Sequence, residues 1–289
     1  MKKSKILFVL NPNAGKTPYD WKNKIKAFFV GKNFEISIIR LLKKEFLEEF
    51  LNIEAGRLKP DILVAVGGDG TVKLVAECAF KKQLILGIIP TGSANGLARE
   101  LGIDLNPTVA LDNLLLNKTK RIHLININNN ICAHLSDIGL NAYAMKKFKF
   151  GKIRGFLGYF LDFLKVLRLN PKMDIEMKIN GEIIKIIAEM VVIANGTCYG
   201  NGAVINPLGN LRDNLFEIIV IKEISLQEVF KMIFSHAVFD INKTEIYQTD
   251  HFSMHSEEKV HFQIDGEYMG KVNQINAELL PSAIEVLVP

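Results

Sequence analysis

The stretch that most constrains this chain is Ile62-Leu63-Val64-Ala65-Val66, followed directly by Gly67-Gly68-Asp69-Gly70-Thr71 and then Val72-Lys73-Leu74-Val75-Ala76-Glu77. A short continuous apolar run reads as a strand buried on both faces. The segment after the glycines carries apolar residues at helical spacing. The glycines therefore sit where a parallel strand turns into a helix, and ligands of open α/β sheets bind beyond such strand ends. Glycines lack the Cβ atoms that would hold a phosphate away from the backbone, and the following helix aims free N–H groups at the same spot. An acid among those glycines fits a cation, or a water on a cation, beside phosphates. The competing reading is a glycine-rich turn with Asp69 as a solvated cap.

The same pattern recurs on either side. Lys5 to Leu10 reads as a buried strand ending in Asn11-Pro12-Asn13-Ala14-Gly15-Lys16, and Trp21 to Val30 as a helix. Phe34 to Ile39 reads as a strand and Glu45 to Ile53 as a helix. Leu84 to Ile89 reads as a strand running into Pro90-Thr91-Gly92-Ser93-Ala94-Asn95-Gly96, with a helix over Leu97 to Leu101. Strands alternating with helices predict a parallel sheet. Three polar, glycine-bearing loops then leave the carboxyl ends of strands, where they could line one crevice.

After about residue 121 the pattern changes. Asn128-Asn129-Asn130 and Asn180-Gly181 each separate two apolar runs and read as hairpin turns. Met190 to Ala194, Phe216 to Ile221 and Val260 to Ile264 read as further strands of an antiparallel domain. Between the early strands, residues 146–168 carry seven basic side chains, one acid (Asp162) and the aromatics Phe148, Phe150, Phe156, Tyr159, Phe160 and Phe163. That segment reads either as a membrane-contacting face or as a helix packed on the β domain. Further on, Val260, Phe262 and Ile264 alternate with His261, Gln263 and Asp265. If the strand continues past Gly266, Asp265 and Glu267 share a face, which suits a base and a metal-organising acid in phosphoryl transfer; otherwise Asp-Gly is a hairpin turn with solvated acids.

Composition sets the outer bounds. The 289 residues are 48% hydrophobic, enough for one large or two modest cores, and the net charge of +5 gives weak support for an anionic partner. Three dispersed cysteines, Cys78, Cys132 and Cys198, make no disulfide framework and point to a reducing compartment. Apolar Ile6 to Leu10 is too short for a signal peptide, and no uncharged run reaches transmembrane length. The modest charge and the lack of a recognition motif argue against nucleic acid as a partner. His251, His255 and His261 lack the spacing of familiar metal motifs.

Together, the Asn11 to Lys16 loop, Gly67-Gly68-Asp69-Gly70-Thr71, Gly92-Ser93-Ala94-Asn95 and Asp265-Gly266-Glu267 resemble, in order and approximate spacing, the diacylglycerol kinase catalytic-domain family. That family includes bacterial soluble lipid kinases and the sphingosine and ceramide kinases, and is related in fold to NAD kinases. Asn195-Gly196, Tyr199-Gly200-Asn201-Gly202 and Asp213-Asn214-Leu215 are similar to further landmarks of the family. The resemblance covers essentially the whole chain. It implies a Rossmann-like α/β nucleotide-binding domain over 1–121, to which 283–289 returns, and an antiparallel β-sandwich over 122–282 that contributes acidic catalytic residues and the lipid site.

The resemblance further implies ATP and Mg²⁺ as cofactors, with ATP in the cleft between the domains. Asn11, Gly15, Lys16, Gly67, Gly68, Asp69, Gly70, Thr71, Ser93 and Asn95 match nucleotide-binding positions. Asp69 matches the acid that organises Mg²⁺, Glu267 the proton acceptor and Asp265 its acidic neighbour. Asp213, with the carbonyls of Asn210 and Leu215, resembles a second cation site of bacterial members. The chain departs from the family at Arg40, Lys73, Gly96 and Asn214. The implied partner is a membrane lipid, met from the cytoplasmic side through peripheral contact at 146–168; a homodimer is left open. An NAD kinase-like enzyme for a soluble substrate and a catalytically silent nucleotide-binding regulator are the alternatives.

Overall fold

The computed structural model describes residues 3–12, 20–41, 46–151, 155–169, 171–199, 203–227 and 242–289. The chain divides into two compact units, Met1–Ile122 with Ser282–Pro289, and His123–Pro281.

The first unit alternates strands and helices: β1 (Ser4–Leu10), α1 (Trp21–Phe29), β2 (Phe34–Arg40), α2 (Leu47–Leu58), β3 (Ile62–Gly67), α3 (Asp69–Lys82), β4 (Ile85–Pro90), α4 (Gly96–Glu100) and α5 (Pro107–Leu116). The strands pair in parallel in the order β2-β1-β3-β4. The chain's last strand joins the edge, with Val286 parallel to Leu86 of β4. Every residue of β3 is buried, as expected of a central strand covered on both faces. Ile25 and Phe29 of α1 and Leu111 and Leu114 of α5 join Phe8, Val64 and Leu287 in one core. α5 has no counterpart among the elements expected from sequence, although its start is well signalled. Pro107 stands in the first turn and the Asn106 side chain accepts the Thr108 N–H at 3.0 Å.

The second unit begins within β5 (Thr119–Ile127) and continues through β6 (Asn130–Cys132), β7 (Leu135–Gly139), α6 (Leu140–Phe150), α7 (Gly155–Leu167), β8 (Met173–Ile179), β9 (Glu182–Ala188), β10 (Met190–Ala194), β11 (Cys198–Tyr199), β12 (Ala203–Val204), β13 (Phe216–Ile221), β14 (Thr244–Thr249), β15 (His251–Ile264) and β16 (Glu267–Leu287). Its main sheet is antiparallel in the order β14-β13-β10-β7-β15-β16, with β8 and β9 added through β15. Asn128 and Asn129, and Asn180 and Gly181, all have positive φ, the backbone of the tight hairpin turns their sequence predicts.

The middle strands β7, β10 and β13 are buried on both faces. Along β10, Val191 and Ile193 enter one core with Phe216, Ile218 and Phe262, whereas Met190, Val192 and Ala194 enter a second with Phe163 and Val166 of α7. The described residues of 146–168 thus fall in two helices, α6 and α7, and the short ends beside them. Tyr159, Phe160 and Phe163 pack onto the sheet, and Val166 is fully buried. The packed-helix alternative holds for these aromatics; of Phe150 and Phe156 nothing is described beyond their helices. Phe163→Ala should lower stability by about 3–5 kcal/mol, since an emptied aromatic site leaves a cavity. Chemical denaturation measures it, and an unchanged midpoint would take α7 out of the core. No helix of the described residues is long and apolar enough to cross a membrane.

Candidate functional site

In the first unit three loops meet at the carboxyl ends of β1, β3 and β4. The Asn11 side-chain amide donates to Thr71 Oγ1 at 3.0 Å. The Thr91 N–H reaches the Gly67 carbonyl at 2.9 Å. A Cβ on Gly92 would come within 2.5 Å of the Gly68 Cα, and one on Gly67 within 2.3 Å of the Thr71 hydroxyl. These glycines let the loops close on each other and on the helix. That is a reason for glycine here besides the approach of a phosphate. The Gly67 to Thr71 stretch is also not wholly a loop. Gly68 is the N-cap of α3, and Asp69, Gly70 and Thr71 form its first turn.

Asp69 is therefore held on a helix, and both of its oxygens are used. Oδ2 accepts the Asn95 N–H at 3.1 Å and Oδ1 the Gly96 N–H at 2.7 Å. The solvated-cap alternative fails for this residue, which clamps the β4 loop to α3. Asn95 has a left-handed backbone and closes its own loop, its side chain bonding the Gly92 N–H and carbonyl at 3.0 and 2.9 Å. Ser93 is exposed at the loop tip. Asn13, Gly15 and Lys16 lie outside the described residues.

A carboxylate has about four lone-pair sites, so each Asp69 oxygen keeps one after its backbone bond. Mg²⁺ takes one or two carboxylates and completes its shell with phosphate oxygens and water. The Asp69 donor set therefore fits that ion. No group of three or more His, Cys, Asp or Glu among the described residues forms an all-protein metal cage.

In the second unit Asp265 and Gly266, with φ of 49° and 80°, form the two-residue turn between β15 and β16. Ile264 pairs with Glu267 across it. Of the two readings of this stretch, the backbone is the hairpin one, so Asp265 and Glu267 do not share a face of a continuing strand. The turn ends the strand, as Asp-Gly favours, and the two acids do different work. Asp265 Oδ2 accepts the Ala133 N–H at 2.9 Å, and Oδ1 accepts those of His134 and Leu135 at 2.9 and 3.1 Å. The Asp265 N–H returns a bond to the Leu135 carbonyl at 2.8 Å. Asp265 is thus an anchor, and Glu267, beyond the turn, is exposed.

Behind the turn lies a buried polar group that the sequence reading missed. Asp137 of β7 pairs in register with Gln263 of β15, and Gln263 accepts the Gly266 N–H at 2.7 Å. Burial pushes the Asp137 carboxyl up to about 7. The available signal was an acid within the apolar run Leu135 to Ile138. Beside it Tyr143 stacks on His261, with centroids 4.3 Å apart, and His261 Nδ1 meets the Tyr268 hydroxyl at 2.8 Å. Burial and the nearby Lys271 and Lys146 bring the His261 pKa down to about 4, so its ring is neutral at pH 7. His251 is exposed next to Asp250.

The Asp213 loop is separate from the turn in sequence. Asp213 Oδ1 accepts the Leu215 N–H at 3.2 Å, the Asn210 carbonyl accepts the Arg212 N–H at 2.7 Å, and Asn214 has a left-handed backbone. One carboxylate and two carbonyls are a hard-oxygen set, which would need several waters to complete a cation's shell.

A parallel α/β unit with a clamped glycine loop is thus followed in the chain by an antiparallel β unit carrying an acidic turn. The diacylglycerol kinase catalytic domain model matches residues 5–127, and the YegS C-terminal NAD kinase beta sandwich-like domain model matches 137–288. The chain belongs to the diacylglycerol kinase catalytic-domain family with this C-terminal sandwich. Among its relatives, a Bacillus subtilis (strain 168) protein named diacylglycerol kinase is 25% identical over 228 residues, 75% of this chain and 74% of that one. A Staphylococcus saprophyticus protein of the same name is 24% identical over 239 residues, 79% and 77% of the two chains. A crystal structure titled as a diacylglycerol kinase from Bacillus anthracis str. Sterne matches 100% of this chain and 98% of its own, with a TM-score of 0.76. Its identity of 19% makes that likeness one of fold.

Proposed function

We propose that this protein is an ATP- and Mg²⁺-dependent kinase that phosphorylates the hydroxyl of a membrane lipid of the diacylglycerol kind. The observation that carries this reading is the Asp69 clamp, a carboxylate fixed by the Asn95 and Gly96 N–H groups at the mouth of a glycine loop. Family membership and the names of the relatives support it.

In this reading the first unit holds the nucleotide. Asn11, Gly67, Gly68, Gly70, Thr71, Ser93 and Asn95 would line the phosphates, Gly15 and Lys16 match phosphate-binding positions of the family, and Asp69 would hold the Mg²⁺. When bound, the ion neutralises phosphate charge that the protein alone would leave uncompensated. The second unit brings the acceptor. Glu267 takes the proton of the lipid hydroxyl as its oxygen bonds to the γ-phosphorus and the bond from that phosphorus to the β–γ bridging oxygen breaks, releasing ADP. Asp265 holds the turn that presents Glu267. Asp213, Asn210 and Leu215 would hold a cation with a structural role.

The substrate stays in the bilayer, so the enzyme works at the cytoplasmic membrane surface. With Tyr159, Phe160 and Phe163 turned inward, the contact we assign to α6 rests on Lys146, Lys147 and Lys149. Each contributes about 1 kcal/mol near an anionic surface. Charge reversal at these three should weaken binding to anionic vesicles and lower activity on vesicle-borne lipid while sparing a short-chain soluble analogue. Equal loss on both substrates would place the docking surface elsewhere. The reading as a whole is tested by phosphoryl transfer from labelled ATP to diacylglycerol, a sphingoid base, phosphatidylglycerol, undecaprenol and NAD. Label in NAD alone, or in none, would overturn it.

A further inference from the structure

Four side chains in the second unit make one chain of hydrogen bonds whose two arms both donate toward Asp137. The Tyr159 hydroxyl of α7 donates to Asn141 Oδ1 at the start of α6. Asn141 Nδ2 donates to Asp137 Oδ2 at 2.5 Å, and Gln263 Nε2 donates to the same oxygen at 2.5 Å. Gln263 Oε1 then accepts the Gly266 N–H at 2.7 Å. Asn141, Asp137 and Gln263 are each at most 3% exposed. Asp137 Oδ1 is buried without a hydrogen-bond partner among the described residues.

The amide of Gln263 has two ends that differ only in donor or acceptor character. It meets an acceptor at Asp137 and a donor at Gly266, so both partners set its orientation. If the Asp137 oxygen is removed, the NH₂ end loses that acceptor, the amide keeps its bond at the Gly266 end, and the turn loses part of its inner support. We infer that Asp137 is a positioning residue, which fixes the Gln263 amide so that the Asp265-Gly266 turn holds Glu267 in one place. The inference rests on the reading of Glu267 as the proton acceptor. A displacement of about 1 Å at such a group can cost about a hundredfold in rate.

The required property is an oxygen facing Gln263 rather than a charge. Asp137→Leu removes it, whereas Asp137→Asn keeps one oxygen to face the Asn141 and Gln263 amides. In the lipid-phosphorylation assay Asp137→Leu should lower kcat about ten- to a hundredfold with KM for ATP unchanged. Asp137→Asn should recover most of that loss. Gln263→Leu should match Asp137→Leu, and the double variant should be no worse than either. Hydrogen exchange at the Gly266 amide is the second readout. It should speed up in Asp137→Leu and Gln263→Leu and stay near the wild-type rate in Asp137→Asn.

Should Asp137→Leu not fold, Gln263→Leu carries both measurements. Wild-type Gly266 exchange in the Leu variants, additive losses in the double variant, or equal loss in Asp137→Asn and Asp137→Leu would overturn the inference. So would fast Gly266 exchange with an unchanged kcat. Undiminished turnover in Glu267→Gln would instead remove the proton-acceptor reading, and the exchange rates would still report on the link from Asp137 to the turn.

Discussion

Asp69→Ala is expected to reduce lipid phosphorylation below about one-thousandth of the wild-type rate, because a metal-organising carboxylate supplies several kcal/mol of transition-state stabilisation. The structure adds a second consequence. The Asn95 and Gly96 N–H groups lose their acceptor, and hydrogen bonds to a charged group contribute about 1.5–3 kcal/mol each. The β4 loop should loosen, and the melting temperature should fall with the activity. Asp69→Asn separates the two effects. Its single oxygen can still take one N–H group, so the loop is partly retained while the charge is gone. Turnover near wild type in folded Asp69→Asn would take the carboxylate out of the chemistry and leave it as a clamp.

The second large effect distinguishes the two acids of the β15–β16 turn. Glu267→Gln should lower kcat by about two to four orders of magnitude, the usual contribution of a general base, with thermal stability and ATP affinity unchanged because the side chain is exposed. Asp265→Asn should lower both kcat and stability. Three backbone N–H groups converge on the Asp265 carboxylate. An amide presents its own NH₂ to at least one of them, at a cost on the order of 1–3 kcal/mol. A thermal melt beside the kinetic assay reads the difference. If Glu267→Gln turns over normally, the turn is a structural hairpin. If Asp265→Asn loses activity with an unchanged melting temperature, Asp265 acts in the chemistry and not as an anchor.

Local backbone was legible because its signals are local. Gly67 and Gly68 mark the end of a buried strand, Asn128-Asn129 and Asn180-Gly181 supply positive φ where hairpins need it, and the continuous apolar runs of β3 and β13 show strands covered on both faces. At Asp265 the local signals left two readings open, period-2 alternation running on past Gly266 or an Asp-Gly turn, and only the strand pairing chose the turn. The aromatics at 159–163 were open in the same way. Helical spacing gives the apolar face but not what covers it, and the structure packs Tyr159, Phe160 and Phe163 onto the sheet.

The sequence by itself determined the alternation of strands and helices in the first unit up to α4, the change to antiparallel pairing after about residue 121, and the segments in which the candidate residues stand. Only the tertiary structure decided what each acid does. Asp69 bonds a loop 26 and 27 residues away, and Asp265 holds segments 130 to 132 residues before it. Asp137 meets Gln263 across 126 residues. A carboxylate looks the same in sequence whether water, a metal or three backbone amides surround it. Which of these it meets is set by the strands that fold beside it, and that pairing lies beyond the reach of local pattern.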